Sequence, residues 1–188
     1  MARLAARRRR SLGSGQGAAD APPRGLWRLA AEAAWQRLGA ARGVPVDILR
    51  LAGIYGPGRN ALGKLREGDA RRIVKPGQVF NRIHVEDIAA VIWRLIEAGG
   101  PGGVWNLADE EPAPPQDVVA YAAALLGIAP PPEEPFEGAT LSEMAASFYS
   151  DNKRIKIDKL KRELDYAPLY PTYREGLRAL AAAGEGQA

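Results

Sequence analysis

The feature that most constrains this chain is a helix that runs into a strand and then directly into a glycine-rich loop. From Trp27, apolar residues recur at Ala31, Ala34, Trp35 and Leu38, a single stripe at helical spacing. Gly43 and Pro45 stop that helix, and Val46-Asp47-Ile48-Leu49-Arg50-Leu51 reads as a strand. Gly53-Ile54-Tyr55-Gly56-Pro57-Gly58 follows as a tight loop, where glycines let the backbone approach a neighbour and Pro57 stiffens the turn. Helix, strand and loop in that order are the signature of an α/β fold.

The rest of the chain repeats the alternation. A short helix is expected over Ala61–Glu67 and an extended segment over Val79–His84. The spacing predicts a helix over Glu86–Glu97, with Ile88, Ile92, Leu95 and Ile96 on one face and Gly99-Gly100 as its stop. Gly103–Leu107 is a second core strand. Pro114-Pro115 opens a helix that turns Val118, Ala122, Leu125 and Leu126 inward and ends at Gly127. Beyond the stiff Pro130–Pro132 connector, Thr140 and Glu143 have capping-box spacing for a short helix to Ser147. Arg154–Ile157 reads as a small strand, and Asp158 as the cap of a helix over Lys159–Leu164. Thr172 and Glu175 repeat the capping box for a last helix through Ala182. Residues 1–23 read as a disordered basic leader and residues 24–188 as one domain, with no internal repeat.

Composition removes several kinds of chemistry. The apolar share of 46% and charged share of 26% are those of a soluble globular domain. With no cysteine, disulfides, thiolate metal sites and cysteine nucleophiles are excluded, which fits a cytoplasmic location. The one histidine, His84, rules out a multi-histidine metal site in one chain, and no metal is expected. The net charge of +4 is more than accounted for by Arg3, Arg7, Arg8, Arg9 and Arg10, so the body is near neutral and specific nucleic-acid binding is not expected. No run is long and apolar enough to suggest a membrane span.

Two segments could carry function. No G-x-G-x-x-G or Walker-type loop follows any strand, so Gly53–Gly58 is not a phosphate-binding fingerprint. In Arg82-Ile83-His84-Val85-Glu86-Asp87, Asp87 suits a helix cap and His84 either fixes the strand–helix junction or meets a ligand. Arg82 suits a phosphate or carboxylate clamp if it faces a cleft. No G-x-S-x-G elbow supports hydrolase chemistry.

Taken together, "DILRLAGIYGPGRN", "FNRIHVEDIAAVI" and "GGVWNLADEEP", with "SFYSDNKRI" and "LYPTYREGL" behind them, resemble the extended and atypical short-chain dehydrogenase/reductases, the NAD-dependent epimerase/dehydratase group. The likeness runs from about Arg24 to Leu180. It implies an α/β fold: a partial Rossmann-type, doubly wound sheet that lacks its N-terminal strands, plus a small α-rich substrate-side lobe over Glu137–Ala167. It implies NAD or NADP as the family cofactor, with Arg28, Tyr55, Gly56 and Pro57 on the cofactor side. Arg59, Asn60, Arg82 and His84 fall on the side of a small, nucleotide-sugar-like substrate.

The resemblance also exposes departures. The family's opening G-x-x-G-x-x-G turn is absent, so dinucleotide binding by this chain alone is not expected. In the frame Arg28-Leu29-Ala30-Ala31-Glu32, Arg24 stands at the catalytic tyrosine position and Arg28 at the lysine position. An arginine can mimic the lysine charge but not the tyrosine's proton donation, so no catalytic residue carries over. The expected function is that of the C-terminal portion of an NAD(P)-dependent oxidoreductase or epimerase. A non-catalytic binding module and an inactive truncation product are the alternatives. Without the earlier strands, a sheet edge and an apolar helix face should be left uncovered, which predicts poor stability, self-association or pairing with another chain.

Overall fold

The computed structural model of the chain describes residues 10–12 and 23–187, with side chains described from residue 25 onward. Of the leader, Arg10–Leu12 (β1) and Pro23, the first residue of α1, fall among the described residues; β1 pairs in parallel with Lys153–Ile155 (β8). Every named strand pair is parallel. The helix-to-strand start of the sequence is realised as α1 (Pro23–Arg42) and β2 (Asp47–Leu51).

The chain then departs from the expected tight loop. Gly53–Tyr55 forms a strand, β3, that continues the line of β2. β2 pairs with β6 (Gly103–Leu107), and Ala52 still donates to Leu107 O at 2.9 Å. One residue later Gly53 donates to Asn81 O at 3.1 Å, and β3 pairs with β5 (Arg82–His84). β5 is therefore wedged in where β2 and β6 part. On its other side, the Asp109 amide donates to Arg82 O at 2.6 Å. That places Tyr55, His84 and Asp109 together at the C-terminal ends of three parallel strands, the edge at which open α/β sheets take their ligands.

Short elements complete the frame. α2 (Ala61–Arg66) follows the glycine turn, and β4 (Arg72–Val74) pairs with β7 (Glu133–Pro135) beyond the triple proline. Neither β4 nor β7 has enough residues to display a period. Their pairing is reinforced by Arg72 on Glu133 at 2.7 Å, while Arg71 forks onto both oxygens of Glu134. α3 (Val85–Glu97), α4 (Pro115–Leu125), α5 (Glu143–Tyr149), α6 (Asp158–Leu164) and α7 (Tyr173–Ala182) account for the remaining helices.

Several local expectations need correcting. The helix after Thr140 is capped by Ser142, whose Oγ accepts from Ala145 N at 3.2 Å. Asp158 is the first residue of α6 rather than its cap, and Ile157 stands at the cap without a side-chain bond. On α3 the buried apolar residues are Val91 and Leu95, while Ile92 and Ile96 face outward. The capping box at Thr172 and Glu175 forms in full.

Two apolar cores hold these parts. One gathers Ile83, Val91, Leu95, Trp105, Leu107 and Leu160 between the sheet and helices α3 and α6. The other gathers Tyr55, Leu62, Val118, Ala122, Tyr173 and Leu177 beside α2, α4 and α7. α1 belongs to neither. Trp27 and Trp35 are 73% and 61% exposed, and the helix is fastened to β2 by the two-pronged ion pair of Glu32 with Arg50 at 2.6 Å and 3.0 Å.

Candidate functional site at the strand ends

Tyr55 leaves β3 pointing inward. Its ring meets the His84 imidazole edge to face, with centroids 5.1 Å apart, and presses on α7 at Gly176. A Cβ at Gly176 would lie 2.7 Å from Tyr55 Cζ and closer still to its Oη, so only glycine admits the ring there. The Tyr55 hydroxyl is buried without a hydrogen-bond partner. Burial, with the Asp109 carboxylate nearby, pushes its pKa upward, so it is a protonated phenol at neutral pH.

His84 closes β5 and caps α3. Its Nδ1 accepts from Glu86 N at 3.2 Å, which assigns the proton of the neutral ring to Nε2. Burial lowers the His84 pKa against the opposing pull of Glu86 and Asp87. Nε2 is buried without a partner, and the ring lies 4.1 Å from that of Tyr170. Asp87, read from sequence as a cap, instead ties down the loop before α7. Its carboxylate accepts from the Tyr166 hydroxyl, from Leu169 N at 2.6 Å and from Tyr170 N at 3.2 Å.

Arg82 is half-buried. Its Nη1 donates to Phe80 O at 3.0 Å and Ala113 O at 3.2 Å, and the guanidinium lies over the Tyr173 ring at 6.0 Å. No hydrogen bond among the described residues engages Nε or Nη2. Two carbonyls thus fix the plane of the group while one edge stays available to an acceptor. Asp109, which sequence reading passed over, is 2% exposed and has no partner for either carboxylate oxygen. Burial pushes its pKa up to about 7, against the lowering effect of Arg82. The signal for it was positional: it is the second residue after a core strand, at that strand's ligand-facing end. Beside it, Arg174 pairs with Glu111 and lies over the Tyr173 and Tyr121 rings.

The glycine turn is self-contained. Gly56 and Arg59 exchange two backbone bonds of 3.1 Å across Pro57-Gly58, and Gly58 takes φ +71°, a type II turn. Asn60 spends its whole amide on structure. Oδ1 caps α2 at Leu62 N and Gly63 N, while Nδ2 donates to Gly56 O and to Glu185. Glu185 also accepts from Gly58 N at 2.9 Å.

The sequence-predicted residues therefore separate into groups. Tyr55, Arg82 and His84 come together around Asp109. Asn60 is a structural clamp, and Arg59 and Pro57 are exposed on the turn. Arg28 is exposed on α1. Gly56 is packed against Val85, and its amide is already paired. Arg28, Tyr55, Gly56 and Pro57 thus offer no cradle of free backbone donors, and they do not fit a dinucleotide by themselves. Among the described residues no cluster of potential metal ligands occurs, and no helix is long and apolar enough to cross a membrane.

Several known proteins resemble this chain in fold or in sequence. A conserved protein of unknown function from Silicibacter pomeroyi is 52% identical, with a TM-score of 0.78 over 86% of this chain and 56% of that one. A Methylobacillus flagellatus structure assigned to the NAD-dependent epimerase/dehydratases is 30% identical, with a TM-score of 0.67 over 94% of this chain and 59% of that one. Protein YeeZ of Escherichia coli is 40% identical over 91 residues, which are 47% of this chain and 31% of YeeZ. The chain thus spans a third to three-fifths of the length of these relatives. No protein-family model matches it. Other neighbours, at 18% to 21% identity, include structures solved with NAD or NADPH, a likeness of fold alone.

Proposed function

We propose, from the premise that this chain has the Rossmann-like fold of the NAD-dependent epimerase/dehydratase family and that its structural neighbours are members of it, that it is the substrate-side part of an NAD(P)-dependent oxidoreductase or epimerase. The observation that carries this reading is the convergence of Tyr55, Arg82, His84 and Asp109 at the C-terminal ends of β3, β5 and β6. Arg82 meets the anionic part of a small, nucleotide-sugar-like substrate with its free guanidinium edge. Tyr55 and His84 supply a neutral phenol and a neutral imidazole beside it. When NAD or NADP is bound in such a protein it supplies hydride chemistry. Here its pyrophosphate needs a cradle that these residues do not contain, and Arg24 and Arg28 do not reproduce the family's tyrosine–lysine pair.

The test is calorimetric titration of the full chain with UDP-glucose and, separately, with NADPH. Wild type should bind UDP-glucose, and Arg82→Ala should weaken it by about tenfold or more, the loss of one charge-assisted contact. Equal binding by the two proteins, or none by wild type, overturns the substrate-side reading. Micromolar NADPH binding by this chain overturns the statement that its cofactor site is incomplete.

A second proposal concerns partners. β2 pairs only with β6 among the described residues. Trp27, Trp35 and Leu38 of α1 and Ile92, Trp93 and Ile96 of α3 are exposed. A second copy of the chain covers the unpaired edge of β2 together with the exposed residues of α1 beside it. Sedimentation should show a concentration-dependent dimer, and a monomer at all concentrations refutes it.

A further inference from the structure

We propose that Asp109 is a positioning residue for Arg82, one that sets how strongly the guanidinium attracts an anionic group arriving at the strand ends. The inference rests on the reading that Arg82 meets the ligand's anion. Three observations support it. The Asp109 amide donates to the carbonyl of Arg82 itself, at 2.6 Å, so the two residues are fixed neighbours across adjoining strand ends. The Asp109 carboxylate is buried, and no hydrogen bond satisfies either oxygen. A buried polar group with no partner is costly and is kept where something else depends on it. Arg82, for its part, is held by Nη1 alone, so its plane is fixed while its remaining N–H groups are uncommitted.

The groups around this pair leave its charge unbalanced in one state only. From β3 comes Tyr55 and from α7 comes Tyr173, both neutral phenols. Glu111, on the segment after β6, is matched by Arg174. Asp87 and Glu175 reach Tyr55 by their charge, but the first is spent on the loop at Leu169 and Tyr170 and the second on Thr172 and Arg178. Asp109 and Arg82 are the charges left unmatched; their side chains make no direct ion pair and act on each other through space. With Asp109 ionised the two charges offset each other, and an incoming anion meets a weakened field. With Asp109 protonated the guanidinium is uncompensated, and the anion meets a full positive charge in a poorly solvated place. Because burial holds the Asp109 pKa near neutrality, the exchange between these states falls in an accessible pH range.

The ligand affinity of Arg82 should therefore fall as pH rises through about 7. The probe is UDP-glucose, whose pyrophosphate diester, unlike a phosphate monoester, has no ionisation near pH 6. For wild type, its dissociation constant should rise about tenfold between pH 6 and pH 8. For Asp109→Asn it should stay at the tight value across that range. A slope that survives in Asp109→Asn overturns the proposal. A ligand-free readout stands beside this one. The Arg82 Nε–H resonance in ¹H–¹⁵N spectra of wild type should titrate with a midpoint near 7 and hold still in Asp109→Asn. A resonance that does not move in wild type also overturns the proposal, whether or not the variant folds. If Arg82→Ala binds UDP-glucose as wild type does, the substrate-side reading fails, and the resonance alone then decides the role of Asp109.

Discussion

Helices α7 and α1 are both linked to the β2–β3 line of strand, but on different terms. α7 buries Tyr173, Gly176, Leu177 and Leu180, and it receives the Tyr55 ring in a notch that only glycine leaves open. α1 keeps Trp27, Trp35 and Leu38 in solvent and is fastened mainly by one ion pair from Glu32 to Arg50. The two helices have the same average hydropathy, but the apolar face of α7 is the more sharply segregated. They differ further in what stands opposite that face: α4, α2 and Tyr55 for α7, and neither apolar core among the described residues for α1. An apolar stripe therefore says that a face seeks a partner, while the fold decides whether that partner belongs to the same chain.

The largest effect expected from breaking this contrast is on the α7 side. Gly176→Ala places a methyl group inside the Tyr55 ring and should destabilise the fold by about 3 kcal/mol, read from chemical denaturation. A loss under about 0.5 kcal/mol would mean that Tyr55 can leave the notch freely.

Next comes Asp109→Asn, whose sign depends on pH. The folded-state pKa is raised to about 7 from an unfolded value near 3.9. The folded protein thus retains a proton that the unfolded chain has released, and its stability falls as pH rises from about 4 to about 7. Above pH 7 the wild type holds a buried charge. Asp109→Asn removes it and should be more stable by about 2 kcal/mol at pH 8, with the gain vanishing near pH 4. A variant that is less stable than wild type at pH 8 would show that the carboxylate is compensated by contacts beyond Arg82.

The smallest change is on the open side. Trp27→Ser combined with Trp35→Ser should alter the stability of the monomer by no more than about 0.5 kcal/mol, while reducing self-association in sedimentation. A large loss of monomer stability would place α1 in a packed core.

These contrasts also mark what the sequence could display. The helix stripe at Trp27–Leu38, the strand at Val46–Leu51 and the Thr172–Glu175 box are local patterns, and each formed where expected. The residues that build the site are held by distant contacts instead. Glu185 reaches Gly58 and Asn60 from the far end of the chain. Asp87 serves a loop near Leu169 rather than its own helix. Asp109 stands before Glu110 and Glu111 in what reads as a solvated acidic run, and only the docking of β5 beside β6 turns it inward. β4 and β7 are three residues each, too short to show a period. Tyr55 was singled out by the family resemblance alone, Arg82 and His84 also by their place just before a helix start. What could not be read was that one carboxylate stands among them.

The most direct test is a map of which region answers a ligand. Amide resonances of the full chain are followed as UDP-glucose is added at pH 6. Perturbations should concentrate at Tyr55–Gly56, Phe80–His84 and Asp109–Ala113, leaving α1 and the outer edge of β2 unmoved. Perturbations confined to α1 and β2, or none at saturating ligand, would contradict a ligand edge built at the ends of β3, β5 and β6.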